Sequence, residues 1–571
     1  MPQDTTSADE RTTVGRPRRG PWVAATVLVL ALMAAWAVGT PVMTSPDESS
    51  HVVKAAAVAR GQWSGELGPP PVDRTRPGAG TIVQLPVDLE ASIYLPNCIA
   101  FRPDATADCH GDLPQRTADL VPVETFAGQY PPLYYFVVGL PSLVLTGETA
   151  LYGMRLMSAF VSALLVGWAA YRMSTAVGRH LAVTGVVVAL TPICLFLGGT
   201  VNPIGLEITA ALSFWAACLA LVRAPGGVAT GAMVQAAVSG AVLVNVRDSS
   251  PFWAALVVVF AVLVARPGRL REVVRHRAAP AVGVTALLAA AAALSWAALH
   301  GSAVSARGLF PEYADPAAAV LAIAGRSYEY LLQMIGNFGW LDTPAPPVTY
   351  LAWYVAVGAL VLLAASARVR PRARAGVLLA LAATALAPFL QLPTMPDAGL
   401  IWQGRYGLPL AVGLPLLAAV ALDEQRGAAD DLVRRAGRGL LPVLAVGHVA
   451  AFYWASRRYS EGATGDLFTL QPNWSSPLGY LTGVVLYGAL VAAVGVLAWR
   501  AMAPTAPRPG QGRAEGATTD AVAVASDGGP AGHAEAVPVG TAQIDHGAAG
   551  RRPDGSVPGV GRTGDSGSTP A

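Results

Sequence analysis

About twelve apolar stretches, each near the length that crosses a bilayer, follow one another along this chain. They run approximately 21–43, 151–171, 181–199, 203–222, 228–246, 251–265, 280–299, 348–367, 375–392, 406–422, 440–456 and 477–499. A chain patterned in this way has one economical fold class, an all-α polytopic membrane protein of about 12–13 transmembrane helices, because lipid leaves no other way to satisfy the backbone of so many apolar runs. Composition agrees: 53% of residues are hydrophobic and 13% charged, and mean hydropathy is +0.47. An ordinary soluble protein of this length is excluded. The net charge of +3 is small, and the arginines gather in short connections between apolar runs. Nucleic acid is therefore not an expected partner.

Those arginines set the expected orientation. Arg11, Arg16, Arg18 and Arg19 precede the first run, which keeps residues 1–20 cytoplasmic and sends the run outward. A cleaved signal peptide, with Ala35-Trp36-Ala37 as its processing site, is the alternative. The membrane domain then spans 21–500, with a first extracytoplasmic loop at 44–129 and a second large extracytoplasmic segment at 300–347. Loop 44–129 is too long to lie structureless over a compact protein and is expected to carry short surface helices, the first near 51–63. The proline-bearing piece 130–145 would be a thirteenth span. Keeping Arg172, Arg179, Arg223 and the clusters 266–277, 368–374 and 426–438 on the cytoplasmic side favours a re-entrant or interfacial element there. Residues 503–571, rich in Gly, Ala, Pro, Ser and Asp, are expected to be a disordered cytoplasmic tail. Their Gly559-Val560-Gly561-Arg562-Thr563-Gly564 matches a dinucleotide fingerprint only as letters. The expected location is the bacterial plasma membrane, with both termini cytoplasmic.

Unusual polar residues collect in the outer connections. Just past the first run lies Pro46-Asp47-Glu48-Ser49-Ser50-His51-Val52-Val53-Lys54, where Asp47, His51 and Lys54 share one face if the stretch is helical. Lys54 is the only lysine in the chain. A solvated helix start, capped by Pro46 and Asp47, is the plainer reading. Asn202 before Pro203 is a good helix cap, and Glu207 falls one turn inside the next span, where a carboxylate is costly. Arg247, in the following outer connection, is its expected partner, though a purely structural polar network fits as well. Arg405 and Tyr406 open a later span: the guanidinium fork suits a phosphate, and an interfacial anchor with Trp402 is the alternative. The segment 327–342, with Tyr328, Tyr330, Asn337, Phe338 and Trp340, is an aromatic surface suited to a sugar, a lipid head group or the interface itself. If loop 44–129 faces an oxidising exterior, Cys98 and Cys109 can form a disulfide; two free thiols are the alternative. Cys194 and Cys218 lie in apolar runs and read as packing residues.

Taken in order, the first run, Pro-Asp-Glu with a following His, Tyr130-Pro131-Pro132-Leu133-Tyr134-Tyr135, Asn202-Pro203-Ile204-Gly205-Leu206-Glu207 and Gln403-Gly404-Arg405-Tyr406 resemble the bacterial membrane family called domain of unknown function 2142. The resemblance covers roughly 21–500. That family in turn resembles the GT-C class of integral-membrane glycosyltransferases, in which an acidic motif of the first outer loop lies at the active site and a Pro-Pro-Leu motif follows the loop. The resemblance implies Asp47 and Glu48 as catalytic carboxylates. It leaves two departures: the later outer connection at Asn202-Pro203-Ile204 offers no second acidic residue until Glu207, and Tyr130 stands where a basic residue often precedes Pro-Pro-Leu.

The function this implies is transfer of a sugar from a polyprenyl-phosphate donor to an envelope glycan, lipid or protein on the outer face. Asp47 would be the general base, with Glu48 and His51 positioning the acceptor or sharing a divalent metal with it. His51, Lys54, Tyr130, Asn202, Glu207, Arg247, Arg405 and Tyr406 would line the substrate site. Membrane lipid, the lipid-linked sugar and the acceptor are the expected partners. A transporter or flippase for a lipid-linked saccharide, or a non-catalytic assembly factor, is the alternative.

Overall fold

The structure, a computed structural model, describes residues 20–69, 80–177, 181–300, 307–366, 368–423 and 428–502. The expected cytoplasmic tail 1–20, save its last residue, and the expected disordered tail 503–571 lie outside the described residues. So do Arg179 and Arg426. The described part is a helical membrane protein. Nine helices are long and apolar enough to cross a bilayer: Trp22–Gly39, Gly147–Thr175, Pro203–Arg223, Ala279–His300, Pro347–Ser366, Pro371–Ala398, Gly404–Leu422, Leu432–Glu461 and Tyr480–Ala501.

The three remaining expected spans depart from straight full-length helices. Residues 181–199 form two helices, Leu181–Ala189 and Pro192–Gly198, bent by 66°. Pro192 has no N–H to continue the first helix, and the Trp353 indole donates to the freed Val188 carbonyl at 3.0 Å. Residues 228–265 form two short helices, Thr230–Val244 and Ser250–Leu263. Their connection packs beside Glu207, near the start of the Pro203–Arg223 helix. This follows from the polar Asn245-Val246-Arg247-Asp248-Ser249-Ser250, which meets a buried carboxylate there.

One end of the bundle carries arginines that close helix termini. Arg223 donates to the Val264 carbonyl at 2.8 Å, and Arg269 to the Leu221 carbonyl at 2.7 Å. Both satisfy carbonyls that a helix end leaves free, as cations at a C-terminus do best. The other end carries the long loops. There α1 (Gly20–Gly39) gives way to α2 (Glu48–Ala59), which starts three residues earlier than expected. A three-stranded antiparallel sheet covers it: β1 (Glu66–Leu67), β2 (Thr81–Pro86) and β3 (Leu120–Thr125), in that order. The sheet comes in addition to the short surface helices expected of this loop. In β2 the alternate residues Thr81, Val83 and Leu85 are buried, as a strand with one covered face requires, and Thr125 Oγ1 donates to the Ser50 carbonyl of α2 at 2.7 Å.

Pro132–Leu143 is an apolar helix shorter than a full span. At 1.5 Å per residue it spans about 18 Å, and both its ends lie on the loop-bearing face. Asp88, from before it, accepts from Gly147 N after it at 2.8 Å. It packs closely along α2: a Cβ on Gly139 would sit 2.0 Å from the Ala55 carbonyl oxygen. Segment 300–347 carries a helix at Pro316–Gly336 capped by Asp315.

Candidate active site at the loop-bearing face

The site is built around the turn that joins α1 to α2. Glu48 is buried, and so is Arg155, from the middle of the Gly147–Arg172 helix. Arg155 Nε donates to Glu48 Oε1 at 2.7 Å and Nη2 to Oε2 at 2.6 Å. Its other donors reach the carbonyls of Ala37, Thr40 and Pro41 at 2.8–3.0 Å. Glu48 also accepts from Ser45 N at 3.2 Å and Val201 N at 3.0 Å. Both ions are thereby saturated, which is the condition under which a buried pair is tolerated. Asn202 adds a bond from Nδ2 to the Pro46 carbonyl at 2.9 Å, while its Oδ1 caps Ile204 N at 3.0 Å. Pro46 and Glu48, which flank Asp47, are thus held by the side chains of Asn202 and Arg155.

Asp47 itself stands in the left-handed region, at φ 63°. A residue bearing a Cβ persists there only where its surroundings over-determine it. Its side chain is 51% exposed, and Oδ2 accepts from Arg405 Nη2 at 2.6 Å. Arg405 is 3% exposed, and its Nε and Nη1 are buried without a partner. The Gln403-Gly404-Arg405-Tyr406 turn lies this close because Gly404 has no Cβ: one would meet the Tyr330 carbonyl oxygen at 2.2 Å.

Arg247 completes a second cation beside the first. It donates to Glu207 Oε2 at 3.2 Å, and Ser250 Oγ donates to Glu207 Oε1 at 2.7 Å. Burial works against the charge of the Arg247 guanidinium, and the Glu207 carboxylate outweighs it and keeps the group protonated. It lies 4.9 Å from the Tyr406 ring centre, and Arg405 lies 5.5 Å from the same ring. Tyr130 faces Arg247 at 6.0 Å; burial raises its phenol above the ordinary range, opposed by Arg247.

His51 lies within the field of Asp47 and of both cations but gives Nδ1 to another partner, and Lys54 turns away. His51 Nδ1 lies 3.0 Å from the Tyr135 hydroxyl, and burial lowers the imidazole to about 3. It is neutral at ordinary pH. Lys54 donates to the Trp63 and Gly128 carbonyls, and burial lowers its ammonium to about 7. It ties α2 to the chain around the sheet and does not reach Asp47. The three residues expected to share a divalent metal do not gather: Glu48 is consumed by Arg155 and His51 by Tyr135. Among the described residues no three His, Cys, Asp or Glu side chains are grouped to hold a metal ion.

Asp47, Arg405, Tyr406, Arg247, Glu207 and Tyr130 therefore converge, Asn202 supports them, and Glu48, His51 and Lys54 are structural neighbours. Arg155 is the residue that sequence reading missed. Its signal was available: it is a lone ion inside an apolar run, which marks a buried partner. Cys98 and Cys109 are joined by a disulfide, Cα–Cα 6.1 Å, while Cys194 and Cys218 are buried and free.

A family model described as "Predicted membrane protein (DUF2142)" matches residues 30–414. The chain belongs to the DUF2142 family. The matched region contains Asp47, Arg155, Glu207, Arg247 and Arg405, so the whole constellation lies in the part that defines DUF2142. No curated protein matches the chain. Crystal structures of ArnT from Cupriavidus metallidurans, one bound to undecaprenyl phosphate and one in the apo state, are similar to this DUF2142 protein at 14% identity. They cover 85% of this chain and 78% of theirs, with a TM-score of 0.39. So distant a likeness assigns no residue a role.

Proposed function

We propose that this protein is a GT-C-like glycosyltransferase. It moves a sugar from a polyprenyl-phosphate donor to an envelope glycan, lipid or protein on the outer face of the plasma membrane. The observation that carries the reading is the Asp47–Arg405 contact: a half-exposed carboxylate on a buried guanidinium that keeps two further donors unpaired. Buried donors of this kind suit an incoming anion with a matching planar edge.

In the proposed reaction the donor phosphate takes the free Nε and Nη1 of Arg405 and competes with Asp47 for Nη2. That competition releases the carboxylate towards the acceptor. The acceptor hydroxyl oxygen bonds to the anomeric carbon, its proton passes to Asp47, and the bond from the anomeric carbon to the phosphate oxygen breaks. The electron pair leaves with the phosphate, where Arg405 and Arg247 meet the growing negative charge. Glu48 and Arg155 hold the turn and do not exchange protons. An apolar cavity of about 320 Å³, lined in part by Thr191, Met334, Trp353, Leu408 and Val412, lies along the helical run Gly404–Leu422. It offers room for the first isoprene units of a lipid donor.

Transport or assembly remains the second reading. Against transport, the buried ions of the site are paired and gathered at one end of the bundle instead of lying free along a mid-membrane path. The test is incorporation of labelled sugar from polyprenyl-phosphate donors into envelope fractions, with Asp47→Asn compared at matched membrane levels. Transfer should vanish in the variant; transfer retained there would remove Asp47 from the mechanism.

A further inference from the structure

Four described residues other than glycine have a positive φ: Met43 at 62°, Asp47 at 63°, Phe101 at 58° and Leu341 at 65°. Apart from Asp47, they surround Trp340. The Trp340 indole donates to the Met43 carbonyl at 3.2 Å, Leu341 follows it in the chain, and the Phe101 ring lies 6.1 Å from it at 60°. Each such backbone costs about 1–3 kcal/mol, so three around one side chain require firm support.

The support is visible. Asp342 Oδ2 accepts from Phe101 N at 2.8 Å, and Oδ1 accepts from Trp340 N at 3.2 Å and from Thr343 Oγ1 at 3.1 Å. Arg458 lies 3.9 Å from the same Asp342 and donates to the carbonyls of Ile99, Arg102 and Ala105 at 2.6–2.9 Å. Those carbonyls belong to the loop that the Cys98–Cys109 disulfide closes. All this order serves to hold outward an aromatic ring that is 72% exposed, a position in which packing within the protein gives Phe101 little. Core packing does not account for it.

We propose that Phe101 and Trp340 form a stacking platform for a pyranose ring of a saccharide acceptor. This rests on the transferase reading and narrows its acceptor from glycan, lipid or protein to a glycan. A pyranose presents a face of polarised C–H groups, which an aromatic face attracts, while its hydroxyls stay in water at so open a site. A lipid chain would need an enclosed groove instead. Met43 stands four residues before Asp47, so the chain between them spans at most about 14 Å. A ring on the platform is then a few sugar residues from the reacting carboxylate. The platform accordingly holds a glycan near its end, not the sugar that is glycosylated.

Phe101→Gly separates stacking from strain, because glycine adopts the same φ freely. The loop and its disulfide keep their shape and only the ring is lost. In the transfer assay the acceptor KM should rise at least about tenfold, the ratio equivalent to about 1.4 kcal/mol, with kcat and donor KM unchanged. Trp340→Ala should do the same, and Trp340→Phe should restore part of the loss. Binding is read separately by saturation-transfer NMR on the full chain in detergent, using methyl glycosides and disaccharides of the common hexoses. Sugar ring protons should be saturated by the intact protein and by Asp47→Asn, but not by Phe101→Gly. Saturation unchanged in Phe101→Gly, or absent with the intact protein, overturns the platform. An unchanged acceptor KM in Phe101→Gly, with transfer lost in Asp47→Asn, removes the platform and leaves the transferase. Saturation lost in Phe101→Gly, in a protein that transfers nothing, keeps the platform and removes the transferase.

Discussion

Neighbours in sequence, Asp47 and Glu48 meet opposite environments, and the difference assigns their work. Glu48 is enclosed by Arg155 and two backbone amides, whereas Asp47 faces outward on a strained backbone against Arg405. Replacing Glu48 by Gln leaves the Arg155 charge buried and half compensated, which should destabilise the fold by about 3–5 kcal/mol, read as a fall in the melting temperature in detergent. Replacing both partners by Met should recover most of that stability but not transfer, because nothing then pins the turn that presents Asp47. Recovery of both would make the pair irrelevant to positioning. His51 gives a second prediction at this scale. Its folded value near 3 lies below the ordinary 6.5, so the unfolded chain binds more protons between those values. Its contribution to stability is full above about pH 6.5 and declines as the pH falls towards 3, by up to about 1.4 kcal/mol per pH unit. Melting curves from pH 7.5 to 4.5 should therefore be less steep in pH for His51→Asn than for the intact protein. Equal slopes would mean that His51 is not kept neutral by folding.

Elements meet at this site through glycine contacts that fix distances between backbones. Gly404 lets the Arg405 turn lie against the Pro316–Gly336 helix, and Gly139 lets Pro132–Gly139 lie against α2. Gly404→Ala should push the guanidinium away from Asp47, lowering transfer sharply for about 1–3 kcal/mol of lost stability. Gly139→Ala should cost a similar amount by moving α2 as a whole. Transfer and melting temperature measured together distinguish a displaced cation from a general loss of folding. A Gly404→Ala protein with full transfer would show that the turn can give. Only part of this level is legible in the sequence. The Asn202-Pro203 helix start could be read from its capping chemistry. The sheet over α2 could not, because its strands are short and their partners are far apart in sequence. Nor could the bend at Pro192, whose freed carbonyl is satisfied by an indole 165 residues later.

At the scale of the whole molecule, the prediction concerns which side of the membrane carries the site. The arginine distribution expects the loop-bearing face to be outside and both termini within. In intact cells, a membrane-impermeant maleimide should label Asp119→Cys, on the exposed loop before β3, and should label Arg271→Cys only after permeabilisation. The reverse pattern would place the site in the cytoplasm and rule out an envelope acceptor. At this scale the sequence by itself determined the membrane class, the position of most spans and the residue types suited to an anion site. Apolar length, charge bias and capping chemistry are local properties that a chain cannot conceal. Which carboxylate is exposed, which cation it touches and which ions are merely structural were decided by tertiary structure alone. Asp47 and Arg405 are 358 residues apart, Glu48 and Arg155 are 107 apart, and no local pattern encodes a pairing whose energy depends on how completely the fold removes both partners from water.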